Sequence, residues 1–197
     1  MITFFIFFIS FLAGSIPTAY LAGKFFGNID IRQHGSGNVG ATNAFRVMGK
    51  KIGFAVFFVD FLKGYLPALF LSNYLPLSLS HEVAVLLIGL ACILGHVFSP
   101  FLNFHGGKGI AAGGGAVCAA SPLLFLLTIS VWSIIFFLSR LVSLSSLLCL
   151  VALIIFSFLF AGDRGATALF CLYFLLALWT HRENLIRLLQ GKEKRIS

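Results

Sequence analysis

The chain has 197 residues, of which 59% are hydrophobic and 10% are charged, and its mean hydropathy is +1.03. Soluble domains carry about a quarter charged residues, so a soluble globule of this composition would expose far too much apolar surface to water. The composition excludes a soluble domain and predicts a single all-α membrane domain over 1–197. The net charge of +8 indicates orientation and contact with anionic lipid or substrate, and no nucleic acid is expected as a partner.

Six apolar runs predict the membrane helices, because a chain in lipid must satisfy its own backbone hydrogen bonds. A crossing needs about 20 mostly apolar residues. The runs lie at 2–23, 52–72, 83–103, 110–139, 142–161 and 166–180. The first run lacks the basic flank of a cleaved signal peptide, so we expect a retained span. The sequence GSIP at 14–17 is expected to break it.

The run 110–139 is ambiguous, because it could form one long helix or two helices broken near Ser121-Pro122. Basic residues cluster in the first loop (24–51) and in the tail (182–195). Cytoplasmic segments collect Lys and Arg, so loop and tail should share a side, which requires an even number of crossings and hence the break. The prediction is seven transmembrane helices, with the N-terminus outside, the C-terminus cytoplasmic and the polar loops on the cytoplasmic face.

The most unusual polar stretch is FHGGKGIAAGGG at 104–115, between two apolar runs. Glycines let backbone N–H groups converge on an anion, and a lysine and a helix N-terminus add positive charge. Gly106, Gly107, Lys108 and Gly109 are therefore predicted to bind phosphate. For 111–116, close helix packing is the favoured alternative. The stretch lacks the spacing of a Walker loop, and GSGNVG at 35–40 lacks the preceding strand of a dinucleotide fold.

Two further polar stretches share the predicted cytoplasmic face. The first loop offers hydroxyl, amide and guanidinium groups for a second anion site. These are Ser36, Asn38, Thr42, Asn43 and Arg46. In the tail, His181 and Asn184 are three residues apart and share a helix face. Either stretch taken alone is also what an ordinary interfacial segment would show.

Asp60 and Lys63 lie three residues apart inside the second apolar run. Ionisable groups within a membrane are costly, and they usually pair or line a cavity. We expect a mutual ion pair that faces the interior of the bundle. Its role would be structural support of the pocket more often than direct contact with a substrate.

Taken in order, these stretches resemble the bacterial acyl-phosphate:glycerol-3-phosphate acyltransferases, a small family of polytopic membrane enzymes. The resemblance spans most of the chain and is specific as a set. It is carried by GSIPTAYLAGK (14–24), DIRQHGSGNVGATNAFRVMGKK (30–51), DFLKGYLP (60–67), GHVFSPFLNFHGGKG (95–109) and HRENLIRLLQGKEKR (181–195).

The resemblance implies transfer of a fatty acyl group from acyl phosphate to the 1-hydroxyl of glycerol 3-phosphate. The products would be lysophosphatidic acid and phosphate, in phospholipid biosynthesis at the bacterial inner membrane. It implies an essential Ser36 and Arg46, a phosphate-binding loop at 106–109, functional His181 and Asn184, and a structural Glu193. No metal or cofactor is implied. A peripheral enzyme that makes acyl phosphate is an expected partner besides membrane lipid.

The residues favour direct transfer without an acyl-enzyme or a dedicated protein base. None of the five histidines is followed five positions later by an acidic residue, the spacing used by many glycerophosphate acyltransferases. Ser36, Lys108 and Asn184 are expected to supply the preorganised donors and Arg46 to anchor a phosphate. The alternatives are a small transporter of an anionic solute, which would need a polar path through the midplane, and a structural scaffold.

Overall fold

The computed structural model describes residues 1–75 and 78–196, and within these residues it contains helices and no strands. The all-α prediction is confirmed for this part of the chain. The α-helices found there are α1 (Ile2–Ser15), α2 (Thr18–Phe26), α3 (Ala41–Leu71), α4 (His81–Val97), α5 (Ile110–Ala120), α6 (Pro122–Ser139), α7 (Val142–Phe156), α8 (Arg164–Thr180) and α9 (Arg182–Leu189). Short 3-10 turns lie at Ile31–Gln33, Ser72–Tyr74 and Pro100–Leu102, and a π-helical turn at Ser157–Ala161.

In the described part of the chain, five helical segments are long and apolar enough to cross a membrane: Ile2–Phe26, Ala41–Tyr74, His81–Leu102, Pro122–Ser139 and Val142–Phe160. Two shorter apolar helices, α5 and α8, complete the set of apolar runs seen in the sequence. The chain is therefore a helical protein of several apolar spans.

Both predicted helix breaks are present. The first run divides at Ile16-Pro17 into α1 and α2, and the long run divides at Ser121 into α5 and α6. Ser121 caps α6, because its Oγ accepts the N–H of Leu124 at 3.4 Å and Pro122 occupies the first helical position, where proline needs no donor.

The first polar loop is shorter than predicted. Helix α3 already begins at Ala41, so Thr42, Asn43 and Arg46 lie on a helix, whereas the sequence placed them in a loop that runs to position 51. Gly49 bends this helix with a φ of 83°, in the left-handed region that glycine tolerates best. The polar first turns hid the helix, since apolar periodicity starts only after the bend.

Backbones pack directly against one another in the interior of the bundle. A Cβ on Gly14 of α1 would overlap the backbone of Cys92 on α4, and one on Gly64 of α3 would overlap the backbone of Ala112 on α5. Gly115 meets the backbone of Phe61 in the same way. Small residues let membrane helices approach this closely, so packing accounts for Gly115, and also for Gly113, where a Cβ would overlap the ring of Tyr173.

Hydrogen bonds gather the polar stretches at one end of the bundle, which we call the polar end: residues 28–50, 96–109 and 181–196 with Arg140. Arg46 donates to the carbonyl of Lys194 at 3.1 Å, and the N–H of Ile196 donates to the carbonyl of Arg140 at 3.0 Å. At the opposite end, the hydroxyl of Ser80 donates to the carboxylate of Asp163.

Candidate active site

The glycine loop is held against the end of α4. The N–H of Gly106 donates to the carbonyl of Val97 at 2.9 Å, and the N–H of Gly107 donates to the carbonyl of His96 at 3.0 Å. A Cβ at either glycine would overlap His96 or Val97. Two N–H donors of the expected anion nest are therefore already used within the protein, and glycine is needed at both positions for close approach. Within the described residues, the N–H groups of Lys108 and Gly109 have no acceptor.

Lys108 points from this loop to the tail. Its ammonium donates to the amide oxygen of Asn184 on α9. The side chain is largely surrounded by protein, and this burial lowers the pKa of Lys108 from 10.5 to about 8, although the charge of Glu193 opposes the shift. An ammonium that has lost much of its hydration and has few protein partners can bind a phosphate oxygen strongly.

Glu193 organises the surroundings of Lys108. Its Oε1 accepts hydrogen bonds from Asn184 at 2.5 Å and from Ser143 at 2.8 Å, and its Oε2 accepts from Arg187 at 2.8 Å. Burial by itself would raise the pKa of this carboxyl, but the three hydrogen bonds outweigh it and lower the pKa. Glu193 therefore stays ionised and joins α7, α9 and the tail.

Asn184 has less donor capacity than expected. Its Oδ1 faces Lys108 and its Nδ2 donates to Glu193, so the amide bridges the two charged groups. This geometry is that of a residue that orients Lys108, and not of one whose amide binds an oxyanion directly.

His181 lies one turn before Asn184 at the junction of α8 and α9 and is 3% exposed. Its Nδ1 lies 2.8 Å from the carbonyl oxygen of Ala177. Burial, and then the charge of Lys108, lower the pKa of His181 to about 4, so the ring is neutral near pH 7. Since a carbonyl only accepts, Nδ1 carries the proton and Nε2 is left as an acceptor.

The Ser36 loop is organised by Asn43. The side chain of Asn43 is buried, accepts the N–H of Ser36 at 2.8 Å and donates to the carbonyl of His34 at 3.0 Å. Asn43 thus shapes the loop and has its amide atoms engaged, whereas Ser36 is exposed at the tip and Asn38 and Thr42 are half-buried. No hydrogen bond among the described residues joins Ser36 to Lys108, Asn184 or Glu193.

Arg46 connects these two parts, because its guanidinium reaches the tail at the carbonyl of Lys194. Sequence reasoning missed Ser143 and Arg187, which complete the shell around Glu193. Arg187 had a signal, since it follows Asn184 by three residues on one helix face. Ser143 had a weaker one, as a hydroxyl at the start of an apolar helix.

The ion pair inside the membrane region is confirmed. Lys63 Nζ lies 2.8 Å from Asp60 Oδ1, both side chains are buried, and Lys63 also donates to the carbonyl of Ile16 at 2.9 Å. Asp60 thus pairs in the bundle interior, and Lys63 ties α3 to the break between α1 and α2.

An apolar helical bundle with lysine, arginine, histidine and amide groups gathered at one end defines an integral membrane protein with a polar site at one end of its bundle. The chain belongs to the glycerol-3-phosphate acyltransferase family, whose sequence description it matches over residues 4–191.

Relatives agree across nearly the whole chain. A glycerol-3-phosphate acyltransferase of Bacillus cytotoxicus is 40% identical over 98% of this chain and 94% of its own length, and one of Bacillus subtilis is 38% identical over 95% and 94%. The fold matches the crystal structure of PlsY (YgiH), an integral membrane glycerol 3-phosphate acyltransferase, in its glycerol 3-phosphate form. That match has a TM-score of 0.91 and 38% identity over 98% of this chain and 95% of that one. The lysophosphatidic acid form gives a TM-score of 0.88.

Proposed function

We propose that this protein transfers a fatty acyl group from acyl phosphate to the 1-hydroxyl of glycerol 3-phosphate, giving lysophosphatidic acid and phosphate. The observation that carries the proposal is the Lys108–Asn184–Glu193 cluster, in a chain of this family. The relatives' names state the acceptor, and the likeness to the acyl-phosphate family in the motifs supports the donor. A separate peripheral enzyme would supply the acyl phosphate.

The site would open at the cytoplasmic face of the bacterial inner membrane. One substrate is a lipid and the other is cytosolic, so a site at that interface can receive both. Seven crossings, with α5 and α8 as the two short ones, put the polar end inside and the Ser80–Asp163 contact outside. The basic tail supports this orientation, since cytoplasmic segments collect Lys and Arg.

In the reaction, the 1-hydroxyl oxygen of glycerol 3-phosphate attacks the carbonyl carbon of acyl phosphate. The new C–O bond forms, the bond from that carbon to the phosphate oxygen breaks, and phosphate leaves with the electron pair. The proton of the hydroxyl passes to a substrate phosphate oxygen. No acyl-enzyme forms, because a mixed anhydride already has a good leaving group.

The protein contributes position and charge. Lys108 binds phosphate together with the free N–H groups of Lys108 and Gly109. Asn184 and Glu193 orient the ammonium, and Ser36 and Arg46 bind the second anionic group. His181 lies three residues before Asn184, and the acceptor Nε2 of its neutral ring orients a substrate hydroxyl.

An acyl chain would lie in the apolar groove between α2 and α3, which has a volume of about 470 Å³. Its walls include Leu21, Phe25, Ile52 and Val59, and Lys51 provides a cation at the same groove. Filling the groove with Ala55→Trp should shift the preference toward shorter acyl chains, measured as relative kcat/KM for a series of acyl phosphates. An unchanged preference would place the acyl chain elsewhere.

The decisive assay uses purified protein in detergent with acyl phosphate, and it follows the release of phosphate and the formation of lysophosphatidic acid. Release that requires glycerol 3-phosphate, and falls in Lys108→Ala, supports the enzyme. Folded protein that releases no phosphate, but carries an anionic solute across a vesicle membrane, would favour the transporter.

Direct transfer has its own test. Protein is incubated with labelled acyl phosphate in the absence of glycerol 3-phosphate. A stoichiometric acyl adduct on Ser36 that moves to the acceptor when it is added would show a covalent intermediate instead.

A further inference from the structure

His96 lies directly beneath the glycine loop. It is the penultimate residue of α4 and is 7% exposed. Its carbonyl accepts the N–H of Gly107 at 3.0 Å, and its ring edge lies so close to Gly107 that a Cβ there would overlap Nε2. Both the backbone and the ring of His96 therefore fix the residue that precedes Lys108.

The other edge of the ring faces the buried ion pair. His96 Nδ1 lies 3.9 Å from Asp60 Oδ1, and within the described residues neither atom has a partner in hydrogen-bond geometry. Asp60 pairs with Lys63, which reaches the break between α1 and α2. A line of contacts thus runs from the first helix through α3 and α4 to the glycine loop. Buried ionisable groups at this depth are costly and mark function, yet the proposed chemistry uses none of them.

We propose that His96 is a positioning residue that holds Gly106 and Gly107 in place and thereby sets the position of the Lys108 ammonium. This inference rests on the proposed function and adds a residue to it. Sites are precise when their loops are held by rigid elements. A displacement of about 1 Å can lower a rate by about 10²-fold, so a loop held by one packed ring is sensitive to the loss of that ring.

The test is a double-mutant cycle between His96→Ala and Lys108→Ala. If His96 acts through Lys108, His96→Ala lowers kcat/KM at least about tenfold in the natural chain and less than about threefold in the Lys108→Ala chain. General damage to the fold would reduce the active fraction by the same factor in both backgrounds, and such additivity would overturn the proposal. Thr128→Val is the matched control, since it also removes a buried polar atom without a partner, on α6, and should change neither background.

If His96→Ala does not fold, two substitutions with polar side chains of different length still test the proposal. His96→Gln extends a polar group as far as Nε2 and should retain most of the activity. His96→Asn reaches only the edge that faces Asp60, so it should behave like His96→Ala. The reverse order would overturn the proposal.

A second measurement does not depend on catalysis. Lys108 is modified with an amine-reactive reagent in the folded protein at a series of pH values, and the rate is read by peptide mass spectrometry. His96→Ala should shift the midpoint of the rate's pH dependence toward that of an ordinary lysine, because a displaced ammonium regains its hydration, and His96→Gln should not. An unchanged midpoint would overturn the positioning role. If the natural chain transfers no acyl group, the proposed function fails while this measurement still decides the role of His96.

Discussion

Lys108 should impose an alkaline limit on the reaction. Burial lowers its pKa from 10.5 to about 8, and the ammonium, not the neutral amine, attracts phosphate. The pH dependence of kcat/KM reports the free enzyme. We therefore expect a plateau below about pH 8 and a decline above it, with about a tenth of the plateau left one pH unit higher. A lysine with an ordinary pKa would remain charged through this range.

Lys108→Arg separates this group from others that titrate. A guanidinium stays protonated to above about pH 12, so the alkaline decline should disappear. The plateau itself should be lower, since a planar fork does not fit a site shaped for a compact ammonium. The assay is lysophosphatidic acid formation at low substrate concentration between pH 6.5 and 10, with folding checked at each pH.

Two results would refute this reasoning. A decline that begins only near the ordinary lysine pKa would mean that the ammonium is not desolvated. A decline near pH 8 that persists in Lys108→Arg would belong to another group. Substrate ionisation does not interfere, because the second pKa of a phosphate monoester is about 6.

Three further outcomes are expected. Lys108→Ala should lower kcat/KM by a factor that corresponds to about 2–3 kcal/mol of transition-state free energy, as for the loss of charge-assisted hydrogen bonds. Gly107→Val should lower it at least as much, because its side chain overlaps His96. Near-normal kinetics in both variants would show that the loop is not part of the site. Glu193→Ala should lower kcat/KM and increase proteolysis of the tail, since three hydrogen bonds are lost, whereas an effect on activity without one on the tail would contradict the anchoring role. The topology is tested by labelling single cysteines in a chain without its native cysteines. A cysteine that replaces Lys192 should be labelled only from the cytoplasm, and one that replaces Arg164 only from outside. Labelling of both from the same side would rule out seven crossings.

The helical architecture was predictable because its signals are local. Apolar runs gave the helices, and Pro17 and Pro122 marked the breaks, since proline constrains its own φ and its predecessor. The start of α3 was missed because its first turns are polar, and only the bend at Gly49 separates them from the apolar part. A pattern based on hydropathy gives no signal for helical turns that are made mostly of polar residues.

The sequence singled out the candidate residues of the site but not their hydrogen-bond partners. Lys108 and Glu193 are 85 positions apart in the sequence and meet through Asn184. The sequence could suggest that each matters but not that they form one cluster. The sequence predicts that the loop glycines donate to an anion, whereas the N–H groups of Gly106 and Gly107 donate to the end of α4. Which partner a backbone donor finds depends on tertiary packing, and local composition does not contain it.

The attachment of the tail makes the polar cluster separable from the apolar bundle. The carboxylate that orients Asn184 and Lys108 belongs to Glu193, and the carbonyl that receives Arg46 belongs to Lys194. Both residues follow α8 and α9 along the chain, so they take part in the site only through the hydrogen bonds of the tail. A protease that cuts between α9 and Glu193 would leave α1 to α8 intact and remove the counter-charge of Lys108. Such a cut would inactivate the site while the apolar helices stay packed.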